Sequence, residues 1–291
     1  MTIIPMDCKA VEVMPREDNL LYELKLDGTR GIVIVDKNGR VEIHHSESPN
    51  VVNFKYPALV KELEKLSPGI YDGELCVLDK NGFTDFGAMQ SRAHATNKRK
   101  IQINEQKYPV TFMTFDMLQD DGESIKTEYL VDRKKKLEEK LRLLPLGSAI
   151  KLVPFYPAPD ALERLYGSIE GVVIKGMYSV YEEGKRTGAW RKKRFNKEKT
   201  VKVVGFEEYT RDGRPAGITL ITDDNKRINL PGMVRAQKTK DIIENEGHAM
   251  VDIIYYDETE DGYRFPRVNQ KWQPVVKRIT NPETKRGIEE P

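Results

Sequence analysis

Residues 22–31 read YELKLDGTRG. Tyr22, Leu24 and Leu26 alternate with Glu23, Lys25 and Asp27, the period-two pattern of a half-buried strand, and Asp27-Gly28 signals a turn. The alternation continues outward. LLYELKL and GIVIV are separated by DGTR, and RVEI follows the turn DKNG, so residues 19–43 read as an antiparallel meander. Within it Lys25 is either an exposed strand residue before a turn or a nucleophile that becomes covalently modified; the fragment alone supports both readings.

Further along, Lys55 to Leu66 places Leu59, Leu63 and Leu66 at helical spacing, and Ser67-Pro68-Gly69 ends that helix. GIYDGELCVLD is a second strand block, Asp85 to Arg92 opens a helix, ATNKRK is a polar, basic connector, and TFMTFDML is a strand. Leu130 to Leu144 reads as a charged helix with Leu137, Leu141 and Leu144 as its buried stripe and RKKK, Arg133 to Lys136, on its solvated face. Asp160 is placed to cap a short helix, ALERLYGS, before the strand EGVVIK. Beyond Trp190 the texture changes to short strands (VKVVGFEEYT, GITLIT, RINL, MVDIIYYDE) with one helical pattern, KTKDIIEN, which suggests a small OB-fold barrel. The predicted class is α+β: antiparallel sheets and helices over residues 1–197, then an OB-fold β-barrel over residues 198–291.

Bulk properties leave room for this. A chain of 291 residues that is 38% hydrophobic can build two cores. Lys+Arg 48 against Asp+Glu 46 gives a net charge of +2, so partners must be read from where the charges sit. Cys8 and Cys76 form no disulfide framework or thiolate metal site, and four histidines with only His44 and His45 adjacent form no zinc cluster. The N-terminus lacks a basic start with a long apolar core, and no run approaches the roughly 20 apolar residues of a membrane span. The chain therefore reads as soluble and cytoplasmic, or of the host cytoplasm if phage-encoded, with no membrane partner.

Lys-x-Asp-Gly gains its weight from the blocks downstream of it. Lys25-Leu26-Asp27-Gly28-Thr29-Arg30 is followed in order by Asp72-Gly73-Glu74, Phe115-Asp116, Glu170-Gly171-Val172-Val173-Ile174-Lys175 and Trp190-Arg191-Lys192-Lys193-Arg194. This series resembles motifs I, III, IIIa, IV and V of the covalent nucleotidyltransferase superfamily, and in particular its ATP-dependent DNA ligases. FTDFGAMQSR, with Phe86, Gln90 and Arg92, resembles a segment that DNA ligases carry between motifs III and IIIa. The resemblance covers most of residues 20–200, making residues 1–197 an adenylation (nucleotidyltransferase) domain.

The resemblance implies that Lys25 attacks the α-phosphate of ATP, that AMP passes to the 5′-phosphate of nicked double-stranded DNA, and that the 3′-hydroxyl displaces it. Covalent catalysis divides the joining into easier steps, and each phosphoryl transfer depends on positioning and charge neutralisation. It further implies that Glu74 and Glu170 hold Mg²⁺ (or Mn²⁺), that Arg30 reaches the ribose or phosphates, and that Phe115 stacks on adenine. Glu23 is placed near the adenine edge, and Lys175, Lys192 and Arg194 near the phosphates. A lysine must be neutral to attack, and neighbouring cations favour that form.

Residues 185–199 hold eight Lys/Arg and one Glu, a density that fits sequence-independent contact with duplex phosphates through Arg191, Lys193, Lys197 and Lys199. Two positions depart from the family pattern. Ser46-Glu47-Ser48-Pro49 stands where many DNA ligases carry Ser-Arg-Asn-Gly, leaving His44, His45 or Lys55 as substitutes for that arginine, and Arg194 replaces a lysine of motif V. Motif VI is only loosely suggested by Tyr263-Arg264-Phe265-Pro266-Arg267. With little chain before Lys25, a minimal two-domain monomer of the phage, viral or small bacterial kind is expected, with a loop insert such as Thr222 to Arg235 helping to surround DNA. The alternatives are an RNA ligase or GTP-dependent mRNA capping guanylyltransferase and, more distantly, a noncatalytic OB-containing nucleic-acid-binding protein.

Overall fold

A computed structural model describes residues 3–46, 48, 50–259, 262–264, 266–269 and 272. The chain divides into two compact units, Met1–Phe195 and Asn196–Pro291.

In the first unit the chain changes sheets at LKLDG. β1 (Asp7–Ala10) and β2 (Leu20–Leu24) lie in one sheet, β3 (Thr29–Val35) and β4 (Val41–His45) in another. The meander expected over residues 19–43 is therefore corrected. β3 and β4 pair from Gly31↔His45 to Val35↔Val41, but β2 does not pair with β3. The cause lies at Gly28, which runs against β5 (Gly69–Val77) so closely that a Cβ there would stand 2.3 Å from the Leu75 carbonyl oxygen. The segment threads past a neighbouring strand, and only glycine fits the passage. Residues 20–23 are all buried, which corrects the half-buried reading: this strand is covered on both faces, and Glu23 lies inside.

The second sheet runs β4–β3–β5–β6–β7, with β6 (Val110–Asp120), β7 (Glu123–Ser124) and, parallel to β6, β8 (Ile150–Leu152). Helices α1 (Pro57–Leu63), α2 (Phe86–Ala93), α3 (Lys98–Lys107) and α4 (Leu130–Leu141) accompany it, and Leu59, Leu63, Met89 and Leu137 pack with Val33, Ile43 and Phe112. Each such buried side chain contributes about 1.5–3 kcal/mol. Asp85 caps α2 by accepting from the Ala88 amide at 2.9 Å. The connector reading of ATNKRK is corrected: Asn97 caps α3 through the Arg99 amide at 2.9 Å, and the helix turns only Ile101 and Asn104 inward, too few for a legible stripe.

The first sheet runs β1–β11–β10–β2–β9, with β9 (Phe155–Tyr156), β10 (Gly171–Gly176) and β11 (Arg186–Arg194). Asp160 opens α5 (Asp160–Glu163) as its first residue, and Pro159 holds the cap position assigned to Asp160. An apolar cluster containing Leu21 and Trp190 of this sheet and Ile32, Ile70 and Leu118 of the other joins the two.

The second unit is a five-stranded sheet ordered β14–β13–β12–β15–β18: β12 (Lys197–Arg211), β13 (Arg214–Thr222), β14 (Arg227–Pro231), β15 (Ala249–Tyr255) and β18 (Arg267–Val268). Helix α6 (Met233–Glu246) sits between the third and fourth of these, and β16 (Asp257–Thr259) pairs with β17 (Gly262–Arg264). This is OB-fold connectivity around Val203, Leu220, Ile228, Val251 and Ile253. Residues 222–235, expected as a loop insert, include β14 and the start of α6. Glu47, Pro49 and Phe265, which belong to the two stretches compared with family motifs, lie outside the described residues. The class is α+β, as expected. No helix among the described residues is long and apolar enough to cross a membrane.

Candidate active site

Lys25 follows β2 at the crossover. Its amide donates to the Gly171 carbonyl at 3.0 Å, and its ammonium pairs with Glu170 Oε2. Gly171 has φ +155°, and a Cβ there would lie 2.1 Å from the Lys193 carbonyl oxygen, so the Glu170-Gly171 corner closes on β11 only because residue 171 is glycine. Arg194 Nε reaches Glu170 Oε1 at 3.1 Å, so both oxygens of this buried carboxylate face cations.

A cavity of about 170 Å³ opens beside Lys25. One sheet lines it with Glu23, Lys25, Lys175, Trp190 and Lys192, the other with Arg30, Glu74 and Phe115, and Cys8 joins from β1. Seven of the expected nucleotide-site residues thus line one cavity, and Glu170 and Arg194 adjoin it through Lys25. Lys175 is 1% exposed; its Nζ lies 2.8 Å from Glu23 Oε2, 4.1 Å from the Phe115 ring centroid and 4.0 Å from that of Trp190. An ammonium held between two ring faces gains cation–π attraction.

Arg30 is more constrained than expected of a residue reaching for a ribose. Its Nε and Nη2 grip Asp72 at 3.0 and 2.6 Å, and Nη1 donates to the Met6 carbonyl at 2.6 Å. The Tyr181 hydroxyl donates to Asp72 Oδ2 at 2.7 Å. The Arg30 guanidinium carbon lies 5.4 Å from the Phe115 ring centroid, so it braces that ring as well as lining the cavity.

RKKK has the composition of a solvated face, and two of its residues correct that expectation. Arg133, 0% exposed, forks onto Asp116 at 2.8 and 2.7 Å, and Lys134, 2% exposed, lies 2.5 Å from Glu23 Oε1. Both charges are paired, which is what permits their burial. A signal was present: residues 130, 133, 134 and 137 follow the i, i+3, i+4, i+7 spacing of a buried helix face. Arg92, from the ligase-like segment, is likewise internal, bonding the carbonyls of Ile101 at 3.1 Å and Lys55 at 2.9 Å.

Burial pushes the Glu74 carboxyl up to about 7, with Lys25 and Arg30 opposing and Glu170 and Asp72 reinforcing the shift. Such a carboxylate is short of positive charge, so its chemistry fits a hard cation. Among the described residues no group of three His, Cys, Asp or Glu forms a protein-only metal cage. Of the proposed DNA contacts, Arg191 pairs with Glu17 at 3.0 Å, Lys193 donates to the Glu12 carbonyl and Lys199 pairs with Glu258 at 3.1 Å. None of the three lines the cavity, and neither does Lys197, which begins β12.

The substitutes weighed for the absent arginine have local partners. Lys55 donates to the Ala93 carbonyl, His44 lies 3.4 Å from Glu42, and His45 Nε2 lies 2.9 Å from the Tyr56 hydroxyl. Burial, reinforced by Lys55, pulls His45 from 6.5 down to about 4. With the folded value depressed, the unfolded chain takes up the proton first, so stability falls as pH drops below 6.5 and levels off below about 4. At about 1.36 kcal/mol per pH unit between those values the full loss is roughly 3.4 kcal/mol, and solvent screening of this partly exposed ring brings the expected loss to the order of 2–3 kcal/mol. Urea denaturation of wild type and His45→Gln from pH 7 to 4 checks this, since the variant should lack that part of the slope.

Two sheets meeting at a lysine-bearing cavity, with a separate OB-type barrel, define a covalent nucleotidyltransferase fold. The ATP dependent DNA ligase domain family matches residues 5–194, and the chain belongs to it. It is 32% identical over 203 residues to the bifunctional non-homologous end joining protein LigD of Bacillus subtilis, covering 64% of this chain and 33% of that protein. It is 30% identical over 209 residues to a DNA ligase of Pyrobaculum islandicum, covering 68% and 35%. The chain thus spans about a third of the length of these relatives. A mycobacterial DNA ligase D solved with ATP and MES shares the fold, with TM-score 0.57, 22% identity and coverage of 91% and 93%.

Proposed function

We propose that this chain is an ATP-dependent DNA ligase that seals nicks in duplex DNA through a lysyl-AMP intermediate, acting as a monomer in the cytoplasm, where reducing conditions suit the free Cys8 and Cys76. The observation that carries this reading is Lys25 lining a cavity with the carboxylates of Asp7, Glu23 and Glu74 and two further lysines. Residues 1–197 carry the nucleotide chemistry, and residues 198–291 form the OB domain.

Lys25 releases a proton toward the Glu170 carboxylate or solvent, and its neutral Nζ forms a bond to the α-phosphorus of ATP as the bond to pyrophosphate breaks; a 5′-phosphate oxygen of the DNA then takes the AMP as the N–P bond breaks, and the 3′-hydroxyl displaces AMP. Glu170 accepts from the Lys25 ammonium and orients it. Lys175, Lys192 and Arg194 supply positive charge for the phosphates, while Phe115 offers a ring and Glu23 an acceptor to the base. Glu74 and, on exchanging its contact with Lys25 or Arg194, Glu170 are the carboxylates that would hold Mg²⁺ or Mn²⁺, which would neutralise phosphate charge. Arg30 acts chiefly by holding Phe115.

Incubation with labelled ATP or GTP and a nicked duplex tests the reading. A protein-linked AMP adduct and sealed DNA are expected; a GMP adduct without an AMP adduct would overturn it.

Arg191, Lys193, Lys197 and Lys199 are the proposed duplex contacts, exchanging local partners such as Glu17 and Glu258 for phosphates. Neutralising Lys193, Lys197 and Lys199 together should weaken nicked-duplex binding. The slope of log affinity against log salt should fall by up to about 3, near 0.9 per lost phosphate contact. Fluorescence anisotropy at several salt concentrations measures both, and an unchanged slope would reject the assignment.

A further inference from the structure

Lys134 stands behind the cavity wall, and no step of the ligation chemistry uses it. Its Nζ lies 2.5 Å from Glu23 Oε1, donates to the Phe115 carbonyl at 3.1 Å, and sits 4.7 Å from the Phe155 ring centroid. The side chain is 2% exposed, as is that of Glu23. Glu23 Oε2 meets Lys175 from the other side, and Oε1 has a charge contact but no aligned hydrogen bond, so it keeps acceptor capacity. One ammonium thus touches the two cavity groups that differ most in kind, a carboxylate and the backbone of an aromatic residue.

A buried carboxylate without cations on it takes up a proton and becomes a donor as well as an acceptor. Two ammonium groups flank Glu23, so the edge it turns to the cavity is that of an acceptor. A six-amino purine presents a donor at that edge, and a six-oxo purine presents an acceptor. Two acceptors facing each other in a buried site leave both unpaired, which is the arrangement that gives enzymes strong selectivity.

We infer that Lys134 is a positioning residue for base selection: by clamping the Glu23 carboxylate to the Phe115 main chain, it fixes an acceptor-only edge beside an aromatic face and thereby sets ATP over GTP. This rests on the ligase reading, in which the base enters beside Glu23 and Phe115.

The test is the ratio of kcat/KM for Lys25 adduct formation with ATP and with GTP, measured for wild type, Lys134→Met, Glu23→Gln and Glu23→Gln/Lys134→Met. Each protein is first checked for a cooperative thermal transition. Lys134→Met is expected to narrow the ratio at least about tenfold, a fraction of the 10⁴–10⁵ available to a hydrogen-bonded site. Because leaving the buried Glu23 with Lys175 as its single remaining cation can impair folding of Lys134→Met, the double variant, which removes the Glu23 and Lys134 charges together, keeps the inference falsifiable. Its ratio should match that of Glu23→Gln within about twofold, as coupled residues behave non-additively. A folded Lys134→Met that loses rate equally with both nucleotides would overturn the inference, since packing alone would do that. So would a double variant whose ratio is the product of independent effects. A wild-type protein that forms no adduct with ATP would instead overturn the ligase reading itself.

Discussion

Lys25→Ala protein is expected to give no labelled adduct with ATP, and sealing that starts from ATP should fall below detection. In the proposed reaction this amine bonds to phosphorus, and two neighbouring lysines are engaged elsewhere: the Lys175 ammonium is held between two rings and against Glu23, and that of Lys134 lies behind the wall. Removal of a covalent nucleophile removes the intermediate rather than slowing it, so losses on the order of 10⁶ are the relevant scale. The control is a nick carrying a ready-made 5′-adenylate. Its closure forms no bond to Lys25, so the variant should retain far more of that activity than of ATP-dependent sealing. Sealing from ATP at the wild-type rate would remove Lys25 from the mechanism.

Arg133→Met should be among the most destabilising single substitutions in the first unit, by about 3–5 kcal/mol, because it strands a buried carboxylate. Asp116 and Arg133 are both 0% exposed, and besides the fork onto Asp116 the guanidinium bonds the carbonyls of Glu128 at 2.6 Å and Ser179 at 3.2 Å. The thermal midpoint should drop by on the order of 10 °C (roughly 6–20 °C, from the 2–4 °C per kcal/mol typical of this size), so that a shift of about 2 °C or less falls outside the expected span. Adding Asp116→Asn to Arg133→Met should recover part of the loss, since the stranded charge is then gone. Calorimetry on the single and double variants decides this, and a single variant melting within about 2 °C of wild type, short of that span, would refute the pair's role.

Local signals mark YELKLDGTRG as a strand and a turn, because alternation and Asp-Gly chemistry are local, whereas the reading of Lys25 as a nucleophile comes from the ordered blocks downstream and their resemblance to the family's motifs. Long-range placement was less legible. Nothing in LLYELKLDGTRGIVIV distinguishes a hairpin from a passage between sheets, because the deciding contact, Gly28 against the Leu75 carbonyl, spans residues far apart in sequence. Composition hid the interior cations: Arg133 and Lys134 sit in a run that reads as solvent-facing, although their spacing from Leu130 and Leu137 puts them on the buried side. Arg30 was identified by position but not by its saturation, which depends on Asp72, Tyr181 and the Met6 carbonyl meeting in space.

The crossover at Gly28 divides the cavity between two jaws. Through the hydrogen bond its amide donates to the Gly171 carbonyl, Lys25 belongs with the sheet that also carries Glu23, Lys175, Trp190 and Lys192, whereas Arg30, Glu74 and Phe115 belong to the other. The gap between nucleophile and opposing carboxylate is therefore a property of how the two sheets seat on one another. Their seat is the apolar layer of Leu21, Ile32, Ile70 and Leu118, which touches no substrate in the reaction described. The spacing of the two halves of the site is thus set by side chains that take no part in the proposed chemistry.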